Sequence, residues 1–173
     1  LIYKSVQPLA TVKRYVVVVP DRAEKEIGFA FWLVKIWNIA RNTGAKLVFY
    51  GSNQTLSYIR AVQKKHPVDT EFNNFYDQND FLILARNLRP NDNLIVVLSR
   101  KDHLSYHTNM AKIPGYLNKY VVENNYMLVF PMQSGVKEGS LDLKNPSVLE
   151  PLRNNLERLD DFGNTIANVF RLK

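Results

Sequence analysis

The chain has 173 residues, with 46% hydrophobic and 23% charged side chains and a formal charge of +7. That length suits one domain with an appended segment, and the composition is that of a folded globular chain rather than a disordered one. There is no cysteine, so disulfides, thiolate catalysis and cysteine metal sites are excluded and a reducing compartment is expected.

The positive charge admits two readings, attraction to nucleic acid or anionic headgroups, or a solvated surface with some extra lysine. The densest cation groups are the pairs Lys64-Lys65 and Arg100-Lys101. No nucleic-acid-binding pattern accompanies them, so no nucleic-acid partner is expected. The most apolar run, Ile27 to Trp37, is interrupted by Lys35 and is shorter than the roughly 20 residues a membrane span needs. The chain begins at Leu1 rather than methionine, which suggests a piece cut from a longer protein or a processed start.

Residues 1–13 read as a linker from an upstream domain. Arg14 to Val19, RYVVVV, is a β-branched run without alternation, the pattern of a strand buried on both faces of a parallel sheet. Glu24 to Asn42 reads as a helix, with Glu24 and Glu26 in its first turn beside the positive dipole end. Its apolar residues cover so much of the surface that deep burial or a partner is expected. Asn42-Thr43-Gly44 is the stop signal. Ala45 to Tyr50 is the second strand, and a helix capped by Ser52 or Asn53 runs to Lys65. Val68 to Phe75 is a polar, edge-like third strand. Asp77 to Leu88 is the third helix, carrying Phe81, Leu84, Ala85 and Leu88 at helical spacing.

Asn93 to Leu98 is the fourth strand. It empties into a polar loop with Ser99, Arg100, Lys101, Asp102, His103, Ser105, Tyr106, His107 and Thr108. A fourth helix follows from Ile113, with Pro114 in its first turn, and Tyr126 to Phe130 is the fifth strand. Residues 134–173 are a linker and a last helix. In that helix Leu149, Leu152, Leu156, Leu159, Gly163, Ile166 and Phe170 alternate spacings of three and four, a heptad seam that suits packing on the same domain or on another subunit. Alternating strands and helices imply an α/β fold, a doubly wound parallel sheet of five strands over residues 14–133, with an extra C-terminal helix.

In such a sheet ligands bind beyond the carboxyl ends of the strands at the switch point. With strand order 3-2-1-4-5 the loops after strands 1 and 4 lie together there. Asp21 would then accept from a ribose or an adenine amine. Ser99 and the following amides would hold phosphate oxygens, with charge from Arg100 or Lys101. The same residue types also suit plain solvent-facing loop ends. His103 and His107 are spaced for two metal ligands on one helix face, but no third ligand is evident, so no metal is expected; the histidines are also candidate pH sensors. No Ser-His-Asp set, Walker loop or GxGxxG is present, and no catalytic residue is assigned.

VVVVPD at 16–21, LIVVLSR at 94–100 and YMLVFP at 126–131 resemble the universal stress proteins, in the wider adenine nucleotide alpha hydrolase-like group. In that family an aspartate after the first strand contacts nucleotide, and the fourth strand runs into a Gly-Ser-Arg-Gly type of loop. Asp21, Ser99 and Arg100 stand at matching positions. Leu98 and Lys101 replace the flanking glycines, and HLSYHTNMAKIP replaces the later ones. Together with SRKDHLSYHTNMAKIPGYLNKY at 99–120 and NYMLVFPMQ at 125–133, the chain looks similar to the cytoplasmic C-terminal domain of bacterial monovalent cation (sodium/potassium):proton antiporters. That resemblance implies a non-enzymatic regulatory or assembly domain on the cytoplasmic face of the inner membrane. Its expected partners are its own transmembrane domain and a second copy, through the fifth strand or the tail helix. A free-standing universal stress protein that binds adenine nucleotide is the alternative.

Overall fold

The computed structural model describes residues 1–75 and 79–131, with the backbone alone of Asn79. The expected C-terminal helix and its heptad seam lie outside the described residues.

Six strands form one sheet, β1 (Ile2–Lys4), β2 (Arg14–Val18), β3 (Lys46–Gly51), β4 (Thr70–Asn74), β5 (Asp92–Val97) and β6 (Asn125–Val129). Their order is β1-β6-β5-β2-β3-β4. All pairings are parallel except β1 with β6, which is antiparallel. Four helices complete the layers, α1 (Phe29–Thr43), α2 (Asn53–Lys65), α3 (Asn79–Arg86) and α4 (Ile113–Tyr120).

The β-branched run of β2 sits centrally because it has apolar partners on both faces. Tyr15, Val17 and Val19 pack with α1 and α2 in one core. Val16 and Val18 pack with α3 and α4 in the other. This two-sided burial is what the unalternating sequence requires. Phe49 stacks at 6.3 Å on Trp37 from α1 and at 5.9 Å on Phe72 from β4, tying the β3–β4 side of the sheet to its helix.

Two expectations need correction. The sheet has six strands, because part of the lead-in expected as a linker joins it. Ile2–Lys4 pairs with Tyr126–Leu128, so β6 is not the free edge proposed for pairing subunits. A side-chain clamp that local pattern does not reveal helps to hold the lead-in there. The fully buried Asn125 carboxamide accepts from the backbone N–H of Val6 at 2.6 Å and Gln7 at 2.9 Å, and donates to the Gln7 carbonyl at 2.9 Å. Asn125→Ala is expected to cost about 1–3 kcal/mol, since it removes a buried, fully bonded carboxamide and leaves two part-buried N–H groups without their acceptor. Hydrogen exchange should accelerate at Val6 and Gln7, and unchanged exchange there would count against the clamp.

The first long helix also starts later than its pattern suggests. Ala23–Lys25 is a 3-10 turn, entered through Arg22 in the left-handed region at φ 59°, and α1 begins only at Phe29 after Gly28. Glu24 and Glu26 are not dipole partners of α1; Glu24 reaches to the first turn of α2 and Glu26 to the loop after β5, as described below. The far end behaves as expected, with Gly44 at φ 66° supplying the left-handed stop.

At the amino ends of the central strands, Arg14 faces Asp92 across β2 and β5. The guanidinium donates to both carboxylate oxygens, at 2.7 and 2.5 Å. Hydrogen bonding to Asp92 raises the Arg14 pKa above its already high ordinary value, against the opposing effect of burial. The Arg89 N–H also donates to Asp92, at 2.8 Å, and Asn124 donates to the Arg89 carbonyl at 2.6 Å.

On β4, Glu71 accepts from Asn73 and pairs with Lys46 at 3.1 Å. Both contacts, the Asn73 hydrogen bond first, pull the Glu71 pKa below its ordinary value. A lowered folded-state pKa contributes stability above the unfolded value and loses it as pH falls through the folded one. Removing the group should therefore matter near neutrality and not in strong acid. Glu71→Gln is expected to lower stability by about 0.2–1 kcal/mol at pH 7, since the pair is solvent-screened. Urea titrations of both proteins should converge once pH lies below the folded pKa, and a gap that persists there would refute the assignment.

Candidate functional site

The parallel pairing of β2 with β5 places Val18 opposite Val96. The loops leaving these two strands therefore emerge side by side at the carboxyl edge, with β3 and β4 on one side and β6 on the other. Here the structure opens a cleft of about 300 Å³. That is on the order of ten water volumes, at the lower end of the range for small-molecule sites.

The cleft floor is Val18, Val19, Val96 and Val97, the ends of the two strands. Phe75, after β4, and Phe81, on α3, line it, as do Met110, just ahead of α4, and Ile113 and Tyr116 within it. Leu104 to His107 come from the long loop after β5, and Asp21 and Arg22 from the loop after β2. Tyr116 stacks on Phe81 at 6.2 Å, so the aromatic lining is held by α3 packing on α4. The site is thus apolar inside and polar at its two loop borders.

Both loops are fixed by carboxylates. Asp21 accepts from Ser52 Oγ, the cap of α2, at 2.6 Å, and its other oxygen lies 3.8 Å from Arg22 Nε. Buried Glu24 accepts from Thr55 Oγ1 at 2.7 Å and Gln54 Nε2 at 2.9 Å, which pins the 3-10 turn to the first turn of α2. Glu26 reaches to the β5 loop instead. Its Oε1 accepts from the backbone N–H of Ser105 at 3.0 Å and the Ser105 hydroxyl at 2.8 Å, and its Oε2 lies 3.5 Å from His103 Nδ1. One loop is therefore latched to the other across the β2–β5 crossover.

Of the four residues singled out in the sequence, Asp21 lines the cleft and the other three do not. Ser99 is buried, its N–H 3.4 Å from the Met110 sulfur and its hydroxyl donating to the Arg100 carbonyl at 3.3 Å. Arg100 Nη1 donates to the Pro131 carbonyl at 3.4 Å, at the end of β6. Lys101 is exposed. The loop bends away at Asp102, which adopts φ 72°, and so separates Arg100 and Lys101 from Ser105 and Tyr106.

His103 and His107 do not share a helix face. His103 rests on Glu26. His107 caps the 3-10 turn Thr108–Lys112, its Nδ1 accepting from the Asn109 N–H at 3.4 Å. Among the described residues no group of three or more His, Asp or Glu side chains converges as for a metal. No helix among them is long and apolar enough to cross a membrane.

Sequence reasoning placed Ser105 and Tyr106 in the right loop but missed Glu26, because an acidic residue ahead of an apolar run reads as a helix start. It also missed Phe75, Phe81 and Tyr116 as cleft residues. Their spacing signals core packing equally well, and only the meeting of α3, α4 and the β4 exit distinguishes the two. No protein-family model, curated protein or solved structure matches the chain.

Proposed function

We propose that this chain is a non-enzymatic regulatory or assembly domain of a bacterial membrane cation:proton antiporter, acting at the cytoplasmic face through a small ligand held in the cleft. The observation that carries the reading is the cleft at the β2–β5 crossover, bordered by two loops that are latched to each other through Glu26. Ligands of open α/β sheets sit at this position. The parallel strands, counted from β4 to β6, run β4-β3-β2-β5-β6, which supports a universal-stress-like arrangement.

A ligand between the latched loops has a direct mechanical consequence. It binds one loop arrangement better than another, and that difference in affinity biases whatever the loops contact. The contact between copies falls on β1 in this reading, because β1 takes the outer position beyond β6 and leaves Leu1, Ile2 and Tyr3 exposed. A free-standing nucleotide-binding stress protein is the weaker alternative, since Arg100 and Lys101 stand outside the cleft.

The test begins with the reading frame. About ten or more hydrophobic spans encoded ahead of Leu1 are expected, and a start codon immediately upstream with no such spans would sink the antiporter assignment. Cation-dependent proton flux in everted vesicles carrying the full protein should then persist in Tyr106→Ala, while its response to added cytosolic extract changes. An unaltered response would remove the cleft from the mechanism.

A further inference from the structure

The latch beside the cleft also occupies groups an anion would need. Loops that hold phosphate do so with backbone N–H groups, hydroxyls and nearby cations. In the β5 loop, the Ser105 N–H and the Ser105 hydroxyl both point at one oxygen of Glu26, at 3.0 and 2.8 Å, and His103 Nδ1 lies 3.5 Å from the other oxygen. Ser105 is itself a cleft residue and is buried. Glu26 therefore sits as a built-in anion on the donor set beside the cleft.

Three other N–H groups of the β5 loop are also committed. The Ser99 N–H faces the Met110 sulfur, and the N–H groups of His103 and Tyr106 close turns onto the carbonyls of Arg100 and His103. Arg22, a cation in the lining, lies 3.8 Å from Asp21. With histidine neutral, the charges of Asp21 and Arg22 cancel, and the rest of the lining is aromatic, aliphatic or hydroxyl-bearing. A phosphate entering here would meet the Glu26 carboxylate and would have to displace it from the Ser105 N–H and hydroxyl.

We infer that the cleft takes an uncharged ring compound offering a hydrogen-bond donor to Asp21, and that Glu26 is the residue that excludes phosphate esters. This rests on the cleft being a ligand site, as proposed above. Aromatic contact with Phe75, Phe81, Tyr106 and Tyr116 supplies the affinity, and the Asp21 oxygen that faces Arg22 at the rim supplies the orientation. The Glu26 carboxylate sets the charge selectivity by occupancy and by repulsion.

A charge series on a constant ring tests this. Adenosine, AMP and ATP, with inorganic phosphate and indole as controls, are titrated calorimetrically into the chain and into Glu26→Gln and Glu26→Ala. In the unmodified protein adenosine should bind about tenfold or more tightly than AMP, and inorganic phosphate should give no heat. Glu26→Ala should erase or reverse the preference, and Glu26→Gln, which keeps the shape and loses the charge, should move it the same way by less. Should the alanine variant fail to fold, the glutamine variant carries the test alone.

Tighter binding of AMP or ATP than of adenosine by the unmodified protein would overturn the inference while leaving the cleft as a ligand site. So would a preference for adenosine that neither variant alters. Indole binding without adenosine binding would keep the site and refute the Asp21 donor contact. Absence of binding by every ring compound would remove the ligand site and the inference together.

Discussion

Asp92→Ala is expected to lower the unfolding free energy by about 3 kcal/mol, the low end for removing one partner of a buried ion pair. The Asp92 side chain is 1% exposed and that of Arg14 20%, so the remaining guanidinium is partly rehydrated and the cost falls short of the maximum. Arg14 is not the only group stranded, because the Arg89 N–H also donates to this carboxylate. A loss of this size is a large fraction of the stability of a domain. Asp92→Asn should recover some of it by keeping an acceptor for Arg89 while giving up the charge. Urea unfolding followed by circular dichroism measures all three proteins. A change below about 1 kcal/mol would class the pair with solvent-screened surface bridges and refute its structural role.

Trp37→Ala is expected to cost about 3–5 kcal/mol, the range for emptying a large aromatic site in a core. Trp37 is fully buried, stacks on Phe49, and donates its indole N–H to the His66 carbonyl at 3.2 Å. The substitution removes the ring, the stacking and the bond that fastens the end of α2. Trp32, one turn and a residue earlier on α1, gives the internal comparison. It is also buried, but its indole N–H has no acceptor among the described residues. Trp32→Phe therefore removes an uncompensated donor along with volume and should cost less than Trp37→Phe, which breaks a bond. Equal losses in the two phenylalanine variants would show that packing volume alone decides.

The elements that depend on local pattern were legible in the chain. The unalternating run at Arg14–Val18 can satisfy its apolar side chains only between two layers. The polar Thr70–Asn74 belongs at an edge, where β4 lies. Gly44 stops α1 because its left-handed φ disfavours a side chain. Asp21 could be assigned to the carboxyl edge of the sheet because a residue following a central parallel strand has nowhere else to go.

What failed was every assignment that depends on a side chain reaching across space. Glu24 and Glu26 look like the first turn of a helix, yet their carboxylates bind Thr55 and Ser105, 31 and 79 residues away. Nothing within a helical turn of Glu26 announces that distance. Residues 1–13 have the composition of a linker, and contacts with distant segments hold them where Ile2–Lys4 can join the sheet, among them the Asn125 carboxamide, 118 residues from Gln7, and the Val121 and Val122 carbonyls on Lys4. Arg100 and Lys101 follow the right strand, but the left-handed turn at Asp102 sends the chain toward Ser105 and leaves them outside the cleft.

The sequence by itself determined an alternating α/β chain, a parallel sheet buried on both faces, and the end of that sheet at which a ligand would sit. Periodicity and turn chemistry act over a few residues, and those properties follow from them. Tertiary structure alone decided the sixth strand, the late start of α1, the aromatic lining of the cleft and the seating of Glu26 on Ser105. Each of these is a contact between segments far apart in the chain, and its energy exists only once the β2–β5 crossover has brought them together.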